Sequence, residues 1–181
     1  MHSYSSSTTQ KTPNQCTLNS CHFQTAKLSG LACHLELDHA ILMNYDLLVF
    51  KSEIEFKQWK RFLEENTKSK YVQKCGQFEN SSGLSVTRYY CNRSGYFTSN
   101  STGARFSKSQ GTSKINTYCT STITVISSQT GLHVNYISTH VGHEAELCHL
   151  RLSSPEKGII RGKLREGVSE TIIHQQIVSR A

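Results

Sequence analysis

Cys119-Thr120-Ser121-Thr122-Ile123-Thr124-Val125-Ile126-Ser127-Ser128-Gln129-Thr130-Gly131-Leu132-His133-Val134-Asn135-Tyr136-Ile137-Ser138-Thr139-His140 is the stretch that decides the fold. Two runs within it, Ser121–Ile126 and Leu132–Ile137, alternate with period two and flank a Gly-containing turn, which spells a β-hairpin. Parity places Cys119 on the face of Ile123 and Val125. It places His140 with Val134 and Tyr136 if the strand continues that far. A hairpin that joins those faces brings a thiolate and an imidazole to one side. Working outward, Tyr89-Tyr90-Cys91 adds a second Cys and Val141-Gly142-His143 a second His, giving C-x27-C-x20-H-x2-H. Two thiolates and two imidazoles suit tetrahedral zinc. Linkers this long leave a second reading open, in which these are ordinary core Cys and strand-end His.

The composition sets the scale. The chain of 181 residues is 36% hydrophobic, and its Ser- and Thr-rich character leaves little material for one large apolar core. A metal that cross-links the chain substitutes for missing burial in small modules. No run reaches the ~18 apolar residues of a membrane helix, and the polar start, Met1 to Gln10, lacks the apolar core of a secretory signal. Seven Cys, an odd number without such a signal, argue against a disulfide scaffold, and beside nine His they point to metal. The net charge is +7. From Asn80 to His143 there is no Asp or Glu, while Arg88, Arg93, Arg105, Lys108 and Lys114 are present. A polyanion could approach that span without meeting a carboxylate. A solvated Ser/Thr surface that happens to lack acids is the plainer account.

Residues 1–15 read as a disordered tail. Residues 16–40 follow as a finger: Cys16-x4-Cys21-x12-His34-x4-His39 fits the C2H2 zinc-finger pattern, in which a tight hairpin and one helix converge on an ion. Phe23 and Leu31 supply its small core, and Cys33 is a spare thiol. The positions that usually read bases fall on Lys27, Gly30 and Cys33, a poor set, so scaffolding, phosphate contact or protein contact suits the finger better than base reading. Tyr45–Phe50 reads as a strand or connector. Ser52-Glu53-Ile54-Glu55 has capping-box order and opens a helix to about Glu65, with Phe56, Trp59, Phe62 and Leu63 on its packing face. Tyr71–Val72 and Leu84–Cys91 are strand candidates. The span from Asn92 to Ser113 is a Gly- and Ser-rich loop that interleaves Arg93, Arg105 and Lys108 with Tyr96, Phe97 and Phe106. Residues 151–181 form two short helices. One starts at Ser154-Pro155-Glu156, presents Ile160 and Leu164 and stops at Gly167. The other starts at Ser169, presents Ile173 and Ile177, and runs into the chain end as a truncated linker would.

Together, Phe50-x-Ser52 with Trp59, Tyr90-Cys91-x-Arg93-Ser94-Gly95, Lys114-Ile115-x3-Cys119 and Gly131-x2-Val134-x-Tyr136-x2-Thr139-His140-x-Gly142-His143 resemble a known module. It is the zinc-binding, WRKY-GCM-type DNA-recognition module of Mutator-like (MULE) transposases and far-red-impaired-response proteins. The resemblance covers residues 48–150. It implies a small antiparallel sheet that presents an edge to the major groove, with Cys91, Cys119, His140 and His143 as ligands. Two residues separate the His pair here, where many relatives have one. The plant WRKY signature is absent, so no base-reading residues carry over.

The expectation is therefore an α+β chain of small zinc-stabilised modules: a ββα finger, a helix plus a small antiparallel sheet, and two C-terminal helices. Two structural zinc ions sit on Cys16, Cys21, His34 and His39 and on Cys91, Cys119, His140 and His143. Duplex DNA is the expected partner, met by Arg88, Arg93, Arg105, Lys108 and Lys114, with a nuclear location, no membrane and protein contact through the finger. The chain reads as a transposase-derived recognition region or a domesticated transcription-factor-like protein. A zinc-stabilised protein-interaction adaptor is the alternative. Catalysis is not expected: two closed four-ligand sites leave no open metal position, and the acid-free span offers no carboxylates to hold a divalent cofactor.

Overall fold

The two alternating runs pair as expected, with a tighter turn. In the computed structural model, which describes residues 14–18, 21–99, 111–146, 149 and 154–178, β7 (Thr122–Ser128) and β8 (Gly131–Ile137) are antiparallel with Ser128 opposite Gly131. Only Gln129 and Thr130 connect them. Gly131 is needed there: its φ is +138°, and a Cβ would lie 2.6 Å from the Phe50 carbonyl oxygen. Around this hairpin a six-stranded sheet forms in the order β3–β8–β7–β6–β4, with β5 also beside β6. These strands are β3 (Tyr45–Phe50), β4 (Tyr71–Gln73), β5 (Phe78–Glu79) and β6 (Ser85–Cys91). All pairings are antiparallel. The resemblance placed the module from residue 48; its first strand starts at Tyr45.

One face of the sheet is covered. Helix α2 (Glu53–Asn66) starts where the capping box placed it: Ser52 Oγ accepts from the Glu55 N–H at 3.2 Å, and Glu55 Oε2 accepts from the Lys51 N–H at 2.8 Å. Phe56, Trp59 and Leu63 pack on Phe50, Tyr71, Tyr89, Ile123, Val125, Val134 and Tyr136. Phe62 does not join them. It is 65% exposed, because it lies about 100° round the helix from Leu63. The last turn of α2 is fastened to β4 by a buried carboxylate: Glu64 accepts from Lys60 Nζ (2.5 Å), Lys70 Nζ (2.5 Å) and the Tyr71 N–H (2.8 Å).

The finger has the expected shape. β1 (Asn14–Gln15) pairs with β2 (Gln24–Thr25), and helix α1 (Leu28–His39) follows. Asn14 and Gln15, read as tail, are thus part of the fold. Leu31, Ala32, Leu35, Met43 and Cys16 form a second apolar cluster, and Tyr118 and Val141 of the sheet module pack against it. The stretch between finger and sheet is tied down as well. The Asn44 N–H donates to Thr139 Oγ1 (2.9 Å), the Ser138 N–H to the Asn44 carbonyl (3.1 Å), and the Met43 N–H to Glu36 Oε1 (3.3 Å). Finger and sheet belong to one compact unit, residues 1–149.

The other unit, residues 150–181, contains α3 (Ser154–Arg165) and α4 (Glu170–Val178). α3 ends at the predicted place: Gly167 takes a φ of +79°, and the Val168 N–H bonds back to the Lys163 carbonyl. Ile173 of α4 is buried and Leu164 of α3 is 47% exposed. No described helix is long and apolar enough to cross a membrane.

Replacing Glu64 by Ala leaves the Tyr71 N–H and the Lys60 ammonium without their buried acceptor. Urea denaturation of metal-loaded protein should show a loss of about 3 kcal/mol. An equally stable variant would mean that this carboxylate does not fasten α2 to the sheet.

Candidate metal centres

Two groups of four side chains bring their ligand atoms within 4.8 Å of one another: Cys16, Cys21, His34 and His39, and Cys91, Cys119, His140 and His143. In the first, the short β1–β2 hairpin turns back through a Cys21 N–H to Leu18 carbonyl bond of 2.8 Å and presents both thiols. Cys16 Sγ lies 3.4 Å from His39 Nε2, and Cys21 Sγ lies 3.3 Å from His34 Nε2. The two His lie five positions apart, more than one α-helical turn. The end of α1 absorbs the extra residue: the Ala40 N–H reaches back five residues to the Leu35 carbonyl, and Ala40 closes the helix with φ +53°. The other nitrogen of His34 faces Asp38 Oδ2 at 2.5 Å, the carboxylate partner that fixes a ligating imidazole. Phe23 does not join the apolar cluster. It stacks on the His34 ring at 4.0 Å and shields that ligand from one side.

In the second centre Cys91 ends β6, Cys119 lies three residues before β7, and His140 lies three residues after β8. β7 and β8 stop short of Cys119 and His140, yet parity still delivers them: Cys119 Sγ is 3.3 Å from His140 Nδ1, and Cys91 Sγ is 3.4 Å from His143 Nε2. The two imidazole nitrogens are 3.3 Å apart. A tetrahedral ion bound at roughly 2.0 Å to N and 2.3 Å to S would have edges of about 3.3 to 3.8 Å, so both centres have the dimensions of such a site. The remaining ring nitrogens are held too. His140 Nε2 faces the Tyr71 hydroxyl at 3.2 Å, and His143 Nδ1 faces the Glu144 carbonyl at 2.9 Å. A collar of buried hydroxyls satisfies the surrounding backbone. Ser94 Oγ accepts from the Cys119 N–H, Thr120 Oγ1 donates to the Thr139 carbonyl, and Ser121 Oγ donates to the Ile137 carbonyl.

The electrostatics of the second centre suit a cation. A hydrogen bond from Cys119, aided by His140 and His143, holds Cys91 far below the usual thiol range despite its burial. Cys119 is pushed up by that same hydrogen bond and by burial. Alone, the pair accommodates one negative charge; a divalent ion lets both Cys ionise. Comparison with protein families, curated proteins and solved structures gave no match.

The basic residues singled out in the sequence have different fates. Arg88 is exposed on the open face of the sheet, its guanidinium 4.8 Å from the Phe78 ring centroid. Arg93 is turned inward: Nε donates to the Ser113 carbonyl (2.8 Å) and Nη1 lies 3.3 Å from Glu146 Oε1, with the side chain 12% exposed. Lys114 Nζ donates to the carbonyls of Asn92 (2.7 Å) and Ser94 (3.1 Å). Arg105 and Lys108 lie outside the described residues. Lys74 was not singled out; its Nζ donates to the same Ser94 carbonyl at 3.0 Å. Burial lowers the pKa of both lysines, and for Lys74 the charge of Lys114 adds to this. Nothing local marked Lys74, because Tyr90, Ser94, Lys114 and Tyr118 all lie more than a dozen residues away along the chain. In the finger, Gly30 faces Thr25, whose Oγ1 would lie 2.7 Å from an added Cβ. Close packing explains this glycine.

Titration with Co2+, which reports thiolate-imidazole tetrahedra by its visible absorption, should saturate at two ions per wild-type chain. Cys21→Ser and Cys119→Ser should each remove one ion. A variant that still binds two would exclude the mutated thiol as a ligand.

Proposed function

We propose that this chain is a zinc-dependent, non-catalytic DNA-binding protein. Both donor sets pair two thiolates with two imidazoles and leave no open position, the chemistry of structural zinc. The observation that carries the DNA reading is the open face of the sheet. Residues Arg88, Thr124, Asn135 and Leu47 stand in register on four adjacent strands, on the side away from α2. The outward positions of the strands carry no carboxylate. The acid-free span supplies β6, β7 and β8, so three central strands would offer a phosphate backbone no repelling charge. The likeness of residues 48–150 to the WRKY-GCM-type module of Mutator-like transposases and far-red-impaired-response proteins points the same way and carries with it a nuclear location. The finger acts in this reading as scaffold: Leu31, Ala32 and Leu35 of its helix are buried, and Tyr118 and Val141 pack on their cluster.

One observation favours the adaptor reading. Tyr45, Leu47 and Val49 are 51%, 81% and 62% exposed on β3, an edge strand of the sheet. Such a row suits a protein partner.

Binding to random-sequence duplex DNA separates the two. Metal-loaded protein should bind at low salt, lose affinity steeply as salt rises and lose it altogether on chelation, and metal analysis of the purified protein should find zinc. Absence of binding at low salt from protein carrying two ions would overturn the DNA reading in favour of the adaptor.

A further inference from the structure

The strongest unassigned feature lies beside the second metal centre, where two lysines from distant parts of the chain meet on one oxygen. Lys74 Nζ and Lys114 Nζ both donate to the Ser94 carbonyl, at 3.0 and 3.1 Å. Two ammonium groups that share one neutral acceptor repel each other, and one carbonyl does not neutralise them. The sulfur groups near them are Cys91 and, for Lys74, also Cys75 and Cys119, and a divalent ion bound at the second centre would take up the charge of its two ligand thiolates. The surroundings favour a cation with access to solvent. Lys74 is exposed overall while its ammonium is partly desolvated, and its Nζ lies 5.2 Å from the Tyr90 ring centroid and 5.7 Å from that of Tyr118. Gly95 has a φ of +110°, and an added Cβ would stand 3.3 Å from Lys74 Nζ. The turn after Cys91 thus has its glycine where the ammonium passes closest. Tyr90 is on the open face of the sheet with Arg88, so the lysine pair extends that face towards the metal end.

We propose that Lys74 and Lys114 form a clamp for one backbone phosphate of duplex DNA. The clamp rests on the DNA-binding reading above and deepens it by assigning a phosphate subsite. An anionic oxygen between the two ammonium groups relieves their repulsion and receives charge-assisted hydrogen bonds from both. Such a contact positions the duplex without reading sequence. The position also couples the subsite to the metal. The turn that carries Ser94 follows the ligand Cys91, and Ser94 Oγ accepts the N–H of the ligand Cys119 at 3.2 Å.

The test is the salt dependence of binding to a random-sequence duplex by wild type, Lys74→Gln, Lys114→Gln and Lys74→Arg. Co2+ absorption is recorded for each to verify an intact second centre. Each Gln variant should weaken binding several-fold on every sequence and lower the slope of log affinity against log salt by about 0.9. Lys74→Arg should keep the wild-type slope. A lysine that only staples the turn would alter thermal stability or the Co2+ spectrum and leave the slope unchanged, which would overturn the clamp. Acetylation of the wild-type chain gives a readout free of folding effects. Duplex should protect Lys74 and Lys114 but not Lys57, which pairs with Glu53 on α2, the helix covering the opposite face. Equal reactivity of all three with and without duplex would also overturn it. Wild-type protein that ignores duplex would remove the DNA reading and the clamp together. Wild-type binding with unchanged slopes in both Gln variants would remove the clamp alone.

Discussion

The sheet module depends on four ligand atoms meeting at one end of its strands. Cys91, Cys119, His140 and His143 come from the end of one strand, the approach to the next and the exit of a third. Strand pairing alone leaves those ends free to fray, since hydrogen bonds there compete with water. Convergence on an ion, which these four side chains are placed to hold, would fasten the three ends together, and the rest follows. Ser94, Thr120 and Ser121 can be fully buried because the clasped loops present fixed backbone partners to them. Tyr71 can bury its hydroxyl because Ser121, Tyr136 and His140 surround it. Burial without those partners would cost each hydroxyl on the order of 1–3 kcal/mol.

Much of this was legible because it depends on short periods. Alternation marked β7 and β8, Ser52 and Glu55 marked the start of α2, and parity placed Cys119 and His140 on one side. The four finger positions followed from residue type and spacing. For Cys91, Cys119, His140 and His143 spacing left two readings open and the family resemblance pointed to metal. The structure brings each set of four together. What escaped notice depends on long-range neighbours. Two-residue β5 exists only because β6 lies beside it. Phe62 looked like part of an apolar face, but a stripe three residues wide has no room for it. Arg93 looked like a surface cation, yet Ser113 and Glu146 draw it inward. Lys74 had no motif at all. The docking of the finger was also illegible, because the cluster that holds it combines Leu35 and Met43 with Tyr118 and Val141, far apart in the chain.

In a chain with 36% hydrophobic residues, the described residues build two separate apolar clusters instead of one large core. Each is small, and each is closed by something other than apolar contact. The larger has Glu64 and the helix cap at its border. The smaller has the finger ligands Cys16 and Cys21 within or against it. Ser and Thr serve as interior residues here, where their hydroxyls meet the carbonyls of the ligand loops.

The wall shared by the two centres has a further consequence. Tyr118 and Val141 adjoin the ligands Cys119 and His140, and they pack against the cluster that contains Cys16. Filling one centre therefore orders part of the surface on which the other is built, and that ordering is not required a second time. Two ions bound there would be thermodynamically linked, each raising the affinity of the other by the same factor. Occupancy should rise with free metal more steeply than two independent sites permit, so that the unit of residues 1–149 fills both centres over a narrow range of metal concentration. A titration curve that two independent sites fit would show that the wall is in contact without being coupled.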